Sequence, residues 1–186
     1  MIERPPGDLW VFAYGSLMWN PDFDFVESAP VVVHGYHRAL CLYSVEYRGT
    51  RDVPGLVFGL DRGGACRGVA FRISEDNAET VLAMLWAREM ITAIYLPRWL
   101  ETALPDGRRI KALAFVADPG HEQYAGRLDV ASAVELVLQG KGKVGHCLEY
   151  IRNTLDHLEE MGIHDRALHR IVRQAEHEQT RRGTLP

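Results

Sequence analysis

Leu9-Trp10-Val11-Phe12-Ala13-Tyr14-Gly15-Ser16-Leu17-Met18-Trp19 is the stretch on which the reading of the fold depends. Residues 9–13 form a short, continuous apolar run rich in strand formers, the pattern of a strand covered on both faces. Tyr14-Gly15-Ser16-Leu17 then breaks the run without introducing a charge. A turn lined by apolar residues is not an ordinary surface loop. Gly15 admits close approach to the backbone, and adjacent amides in such a turn can point together at an oxygen or a carboxylate. Taken alone, the same four residues read rather as a structural strand end, so the remainder of the chain has to decide.

Moving outward, Trp19-Asn20-Pro21-Asp22 carries a turn signal. Residues 29–45 read as one or two strands around Gly35, and residues 47–55 as a polar loop. Residues 56–60 and 67–73 are predicted to form a hairpin around Asp61-Arg62-Gly63-Gly64. A helix follows, with Ser74, Asp76 and Asn77 as candidate N-caps and Asp76 and Glu79 at capping-box spacing; it ends near Arg88 or Glu89. Residues 94–100 and 109–117 read as strands around Pro105-Asp106-Gly107. The C-terminal third is predicted to be helical. Asp129 caps a short helix that ends at Gly140. Leu148, Ile151, Leu155 and Leu158 mark a second helix closed by Gly162, and Asp165 caps the last. Strands first and helices collected at the end predict an α+β fold, a strongly curved sheet or small β-barrel with flanking helices. Residues 1–8 read as a loose leader and residues 9–186 as a single domain, without internal repeats or an interdomain linker.

The chain has 186 residues, of which 47 % are apolar and 25 % charged, with a formal net charge of −4. That balance does not suit a general nucleic-acid binder, whose footprint is basic. The arginines near the C-terminus are interleaved with Asp165, Glu176 and Glu178, as on a solvated helix face. Cys41, Cys66 and Cys147 are widely spaced and odd in number, which fits free thiols in a reducing compartment. The first residues lack the apolar core of a signal peptide, and no apolar run has membrane-spanning length. The expectation is a cytoplasmic protein.

Glu89 is the most informative single residue. With about 100° of rotation per residue, Ala78, Leu82, Leu85 and Glu89 share the apolar face of their helix. A carboxylate there is desolvated, and it sits at the helix end where the dipole disfavours negative charge. Both effects raise a carboxyl pKa, as suits a general base that later acts as an acid. The competing reading is a helix-end glutamate simply paired with Arg88. Other groups offer less. His34 and His37 flank Gly35 in an extended segment and point to opposite faces. His146 and Cys147 are adjacent, but no second Cys/His pair has zinc-site spacing. Gly140-Lys141-Gly142-Lys143-Val144-Gly145 follows a helix, not a strand, and no Ser or Thr follows either lysine, so it reads as a flexible basic connector and not as a phosphate loop.

Together these pieces resemble the ChaC family of γ-glutamylcyclotransferases, particularly its bacterial branch. The resemblance is carried by residues 11–21, by Gly35-Tyr36-His37-Arg38-Ala39, by Arg48-Gly49-Thr50 with Pro54-Gly55, and by Gly68-Val69-Ala70-Phe71-Arg72. Its strongest block is Leu85-Trp86-Ala87-Arg88-Glu89-Met90-Ile91-Thr92, with Tyr95 and Pro97 beyond. The resemblance implies a γ-glutamylcyclotransferase-like small β-barrel with flanking helices. It implies cleavage of the γ-glutamyl bond of glutathione to 5-oxoproline and cysteinylglycine, a lyase-type reaction. By correspondence Glu89 is the catalytic glutamate, Tyr14, Gly15, Ser16 and Leu17 hold the γ-glutamyl moiety, and Arg38, Arg48 and Tyr95 lie near the substrate.

The implied chemistry is an internal aminolysis, which calls for no metal and no other cofactor. The implied partner is a small molecule, with neither nucleic acid nor membrane involved. Three positions depart from the family's usual pattern: Ala13 for glycine, Leu56 for arginine and Cys147 for asparagine. The last two leave the preferred leaving group open. Two other functions stay in view, a cyclotransferase for other γ-glutamyl amino acids or γ-glutamylamines, and a non-catalytic module that binds a γ-glutamyl ligand.

Overall fold

In a computed structural model of the protein, which describes residues 2–183, β1 (Leu9–Ala13) is buried along its whole length. The reason is its place in the sheet. On one side it runs antiparallel to β3 (Gly55–Ile73), with Leu9 opposite Ile73 and Ala13 opposite Val69. On the other it runs parallel to β5 (Arg109–Ala117), with Trp10 opposite Ala112. β4 (Tyr95–Ala103) pairs antiparallel with β5 along its full length, as the turn at 105–107 predicts. With β2 (Glu27–Ser44) the strand order is β2-β3-β1-β5-β4.

β1 is short, and beyond its end β3 reaches β5 directly through Leu60 and Val116. Gly68 permits the close approach of β3 to the end of β1: a Cβ there would lie 2.2 Å from the Ala13 carbonyl oxygen and 2.8 Å from the Phe12 ring. The two edge strands also meet, because the Thr102 hydroxyl donates to the Val32 carbonyl at 2.7 Å. The result is the curled, half-barrel sheet of the expected α+β fold.

One expectation about the sheet is corrected. Residues 56–60 and 67–73 are not two arms of a hairpin but parts of the single strand β3. Gly63 and Gly64, with φ of +94° and +70°, turn the strand without reversing it, as bulge glycines do. Gly35 does the same in β2, with φ of +85°.

The described residues fall into two compact units. The first comprises those up to Ala39 and Gly59–His121, the second Leu40–Phe58 and those from Glu122 onward. The first unit's core joins Leu9, Val11, Phe71, Ile73, Leu113 and Phe115 of the sheet to Ala78, Val81, Leu82 and Leu85 of α1 (Glu75–Glu89). Each large apolar side chain so buried contributes roughly 1.5–3 kcal/mol. The cap of α1 differs from the expected box. The Ser74 side chain makes no cap bond, and Asp8 instead accepts from the Glu75 amide at 3.0 Å while Glu79 pairs with Arg4. Asp8 also pairs with Arg72, and the Trp99 indole donates to the Glu3 carbonyl. The leader expected to be loose is therefore tied down over residues 3–8. Met1 and residues 184–186 lie outside the described residues.

The second unit holds α2 (Val130–Gln139), β6 (Lys141–Gly142), β7 (Gly145–His146), α3 (Cys147–Glu160) and α4 (Arg166–Gly183). Asp129 caps α2 through the Ser132 amide, Asp165 caps α4 through those of Ala167 and Leu168, and Gly162 closes α3 with φ of +67°. Leu148, Ile151, Leu155 and Leu158 are the buried face of α3. Among the described residues no helix is long and apolar enough to cross a membrane.

Candidate active site

β1 delivers Tyr14 into the first unit's interior, where its hydroxyl donates to the Phe115 carbonyl at 2.7 Å. The chain then closes a 3-10 turn over Ser16–Met18, with Met18 donating to Gly15, and Trp19 and Asn20 both donating to Ser16. Hydrogen bonding of this type leaves the first amides, those of Gly15, Ser16 and Leu17, outside the turn's own ladder. Arg38 locks the entrance. Its Nε donates to the Tyr14 carbonyl, and its Nη2 donates to the Arg67 carbonyl at 2.7 Å. Arg38 thus lies beside the turn, with its guanidinium on backbone oxygens.

Glu89 is the last residue of α1. Its carboxyl is only 18 % exposed, and burial pushes its pKa above the ordinary value while the Arg88 charge pulls the other way. The desolvated carboxylate also pairs with Arg88, Nε to Oε1 at 3.3 Å. The same guanidinium continues to the turn. Nη2 donates to the Ser16 hydroxyl at 3.2 Å, and Nη1 to the Asn20 carbonyl at 3.0 Å and to Asp22 at 2.9 Å. One side chain therefore joins the carboxylate to the 14–20 segment. Tyr95, at the start of β4, packs on the core that carries both.

Two non-glycine residues with left-handed backbone flank this arrangement, Asp22 (φ +57°) and Ala93 (φ +55°). Such conformations cost about 1–3 kcal/mol and persist where surrounding contacts fix them. The sequence marks Asn20 and Asp22 as turn formers and Arg88 as a helix-end partner for Glu89 within the Leu85–Thr92 block. The adjacency of Arg88 to Glu89 was the one available signal.

Arg48 belongs to the second unit. Its guanidinium donates to the Val144 carbonyl at 2.8 Å and the His146 carbonyl at 3.3 Å, and lies 5.1 Å over the Tyr150 ring. The segment expected to be a flexible connector is a small hairpin, β6 with β7, to which Lys143 and Val144 add amide bonds to Glu46 and Tyr47. Leu56 and Cys147 are both fully buried and face each other. The Cys147 thiol donates to the Leu56 carbonyl and its sulfur accepts from the Leu56 amide. Burial pushes that thiol up to about 11. Among the described residues no three His, Cys, Asp or Glu side chains converge to hold a metal ion.

The family profile described as "ChaC-like protein" matches residues 9–178. The chain belongs to the ChaC-like family. Among the relatives of this ChaC-like chain, the glutathione-specific gamma-glutamylcyclotransferase of Escherichia coli (strain K12) is 39 % identical over 166 residues, covering 89 % of this chain and 72 % of the relative. The Homo sapiens glutathione-specific gamma-glutamylcyclotransferase 1 is 33 % identical over 165 residues, covering 86 % and 74 %. The crystal structure of a yeast gamma-glutamyl cyclotransferase specific to glutathione superposes with a TM-score of 0.80 at 20 % identity, covering 92 % of this chain and 99 % of the other. At that identity the superposition speaks to the fold alone, and the fold is that of the γ-glutamylcyclotransferases.

Proposed function

We propose that this ChaC-like protein degrades glutathione, cleaving its γ-glutamyl bond by cyclisation to release 5-oxoproline and cysteinylglycine. The observation that carries the reading is the desolvated Glu89 carboxyl held through Arg88 to the Ser16 turn, in a chain whose relatives bear that activity in their names.

The α-amine of the γ-glutamyl group attacks its own side-chain amide carbon and forms the C–N bond of a five-membered lactam. Nucleophile and electrophile share one molecule, so the protein's main task is to fold the substrate into the attacking conformation. Glu89 takes the proton that the amine loses. The carbonyl oxygen becomes an oxyanion, for which the amides of residues 15–17 are the proposed donors. The tetrahedral centre then collapses, the bond to the cysteinyl nitrogen breaks, and Glu89 returns its proton to that nitrogen. Atoms balance without water or a co-reactant.

Tyr14 and Arg38 enter this reading through the turn they anchor, and Tyr95 as a substrate neighbour in the same unit. Arg48 shapes the 141–146 hairpin of the second unit. Leu56 and Cys147 enter the reading as buried packing residues that bond to each other. Residues 9–186 enter the reading as one domain, since β2 and β3 each supply residues to both units. Three buried cysteines outside any disulfide support a reducing compartment, the cytoplasm.

The test is production of 5-oxoproline from glutathione and from a panel of γ-glutamyl dipeptides and γ-glutamylamines. Wild-type protein should turn over glutathione, and Glu89→Gln should lose about 10²–10⁴-fold in rate. Turnover confined to the other γ-glutamyl compounds would overturn the choice of substrate. Stoichiometric binding without release of cysteinylglycine would make the protein a binding module.

A further inference from the structure

We propose that Arg88 is the positioning residue of this reaction, a single guanidinium that fixes the Ser16 turn and the Glu89 carboxylate at one separation while Asp22 fixes the guanidinium. The inference rests on the function proposed above and adds to it a residue with a distinct, measurable role.

The geometry uses the fork of the side chain in full. Nε faces Glu89, Nη2 faces Ser16, and Nη1 is shared between the Asn20 carbonyl and Asp22. The turn partners lie at both ends of that segment, 66 to 72 residues from Arg88 in sequence, and the remaining partner is on the helix terminus. A planar guanidinium offers these directions at once, whereas an ammonium is a point charge on a flexible stem. Arg88 is 23 % exposed, so its bonds are sheltered, while Asp22 at 57 % supplies the outer anchor. Asp22 accepts from Arg88 from a left-handed backbone that Asp tolerates better than most residues.

What such a link controls is register. Cyclisation needs the γ-glutamyl carbonyl, held by the turn, to present its attacking amine to the carboxylate, held by the helix. Misplacement by about 1 Å can cost on the order of 10²-fold in rate. The Arg88 charge also offsets the desolvation that opposes ionisation of Glu89, so loss of the arginine acts on protonation as well as on distance.

The experiment compares kcat, KM and the pH profile of kcat/KM with glutathione for wild type, Arg88→Ala, Arg88→Lys and Asp22→Asn, each checked for folding by circular dichroism and thermal melting. Arg88→Ala should lose about 10²-fold in kcat and move the acid limb of the profile to higher pH. Arg88→Lys should keep the acid limb near that of wild type, because the charge remains, yet fail to restore kcat, because the fork is gone. Asp22→Asn cuts one exposed arm and should lower kcat several-fold with unchanged melting; it decides the matter if both Arg88 variants fail to fold. Full kcat in Arg88→Lys, or an unchanged kcat in folded Arg88→Ala or in Asp22→Asn, overturns the positioning role and leaves the proposed function standing. Wild-type protein inert on glutathione overturns the function itself, and this inference with it.

Discussion

The 14–20 turn and the 141–146 hairpin are both irregular segments held tightly, by opposite means. The turn is held by long charged side chains, Arg38 at its entrance and Arg88 at its exit, reaching across from other elements. The hairpin is held mainly by close backbone approach. A Cβ on Gly140 would meet the Arg48 carbonyl oxygen and the Gly55 Cα at 2.6 Å, and one on Gly142 would meet the Tyr47 carbonyl at 2.5 Å. Arg48 then adds its bonds to Val144 and His146. Side-chain tethers can set the position of a turn around a ligand, and they can be tuned one bond at a time. Backbone packing allows no such adjustment, and a single added methyl disrupts it. The first arrangement suits a reacting site and the second a rigid wall.

The comparison breaks most visibly at Gly140. Its φ of −68° suits alanine, so the loss in Gly140→Ala comes from the clash and not from the backbone angle, and it is partly offset by the smaller entropy of the unfolded chain. We expect destabilisation of about 1–3 kcal/mol, seen as a fall in melting temperature of roughly 2–4 °C per kcal/mol. An unchanged Tm would mean that the glycine packing holds nothing.

The turn side gives the contrary result. Burial raises the Glu89 pKa from its ordinary 4.5. As pH rises through the ordinary value, the unfolded chain loses this proton first, so the native state loses stability until its own, higher pKa is passed. Glu89→Gln lacks that loss. At neutral pH its Tm should equal or exceed that of wild type, and the difference should vanish below about pH 4.5, even though its activity is largely gone. A clearly less stable Gln variant at neutral pH would make Glu89 a structural residue.

The smallest effect sharpens the hairpin side. With its thiol pushed up to about 11 and no exposed surface, Cys147 should resist alkylation at pH 8 in the native protein. Cys41 and Cys66 are also buried. Mass spectrometry should find all three thiols unmodified until denaturant is added, and native labelling of Cys147 would show that the hairpin opens.

What the sequence made legible was local. Asp129, Asp165 and Gly162 cap their helices because capping is settled within a few residues, and Glu89 stood on a buried face because helical periodicity placed it there. The misread hairpin at 61–64 shows the limit. Paired glycines with positive φ make a turn or a bulge equally well, and pairing with distant strands decides which. The destinations of Arg88 and Arg48 were hidden for the same reason. Their partners lie 66 to 98 residues away, and a guanidinium carries no local mark of where it will reach. The turn, Glu89 and its neighbour Arg88 are candidates that the sequence supplies, whereas the bonds from Arg88 to Ser16, Asn20 and Asp22 are not.

The bond from Thr102 to the Val32 carbonyl has a consequence of its own. A half-barrel that ends in two strands carries two rows of backbone donors and acceptors, each a template on which a neighbouring molecule can add a strand. Here β4 caps a carbonyl of β2 with a side-chain hydroxyl, so one backbone acceptor of the β2 template is spent inside the same chain. That one carbonyl is closed to an added strand by a threonine hydroxyl, a contact separate from anything proposed for the site.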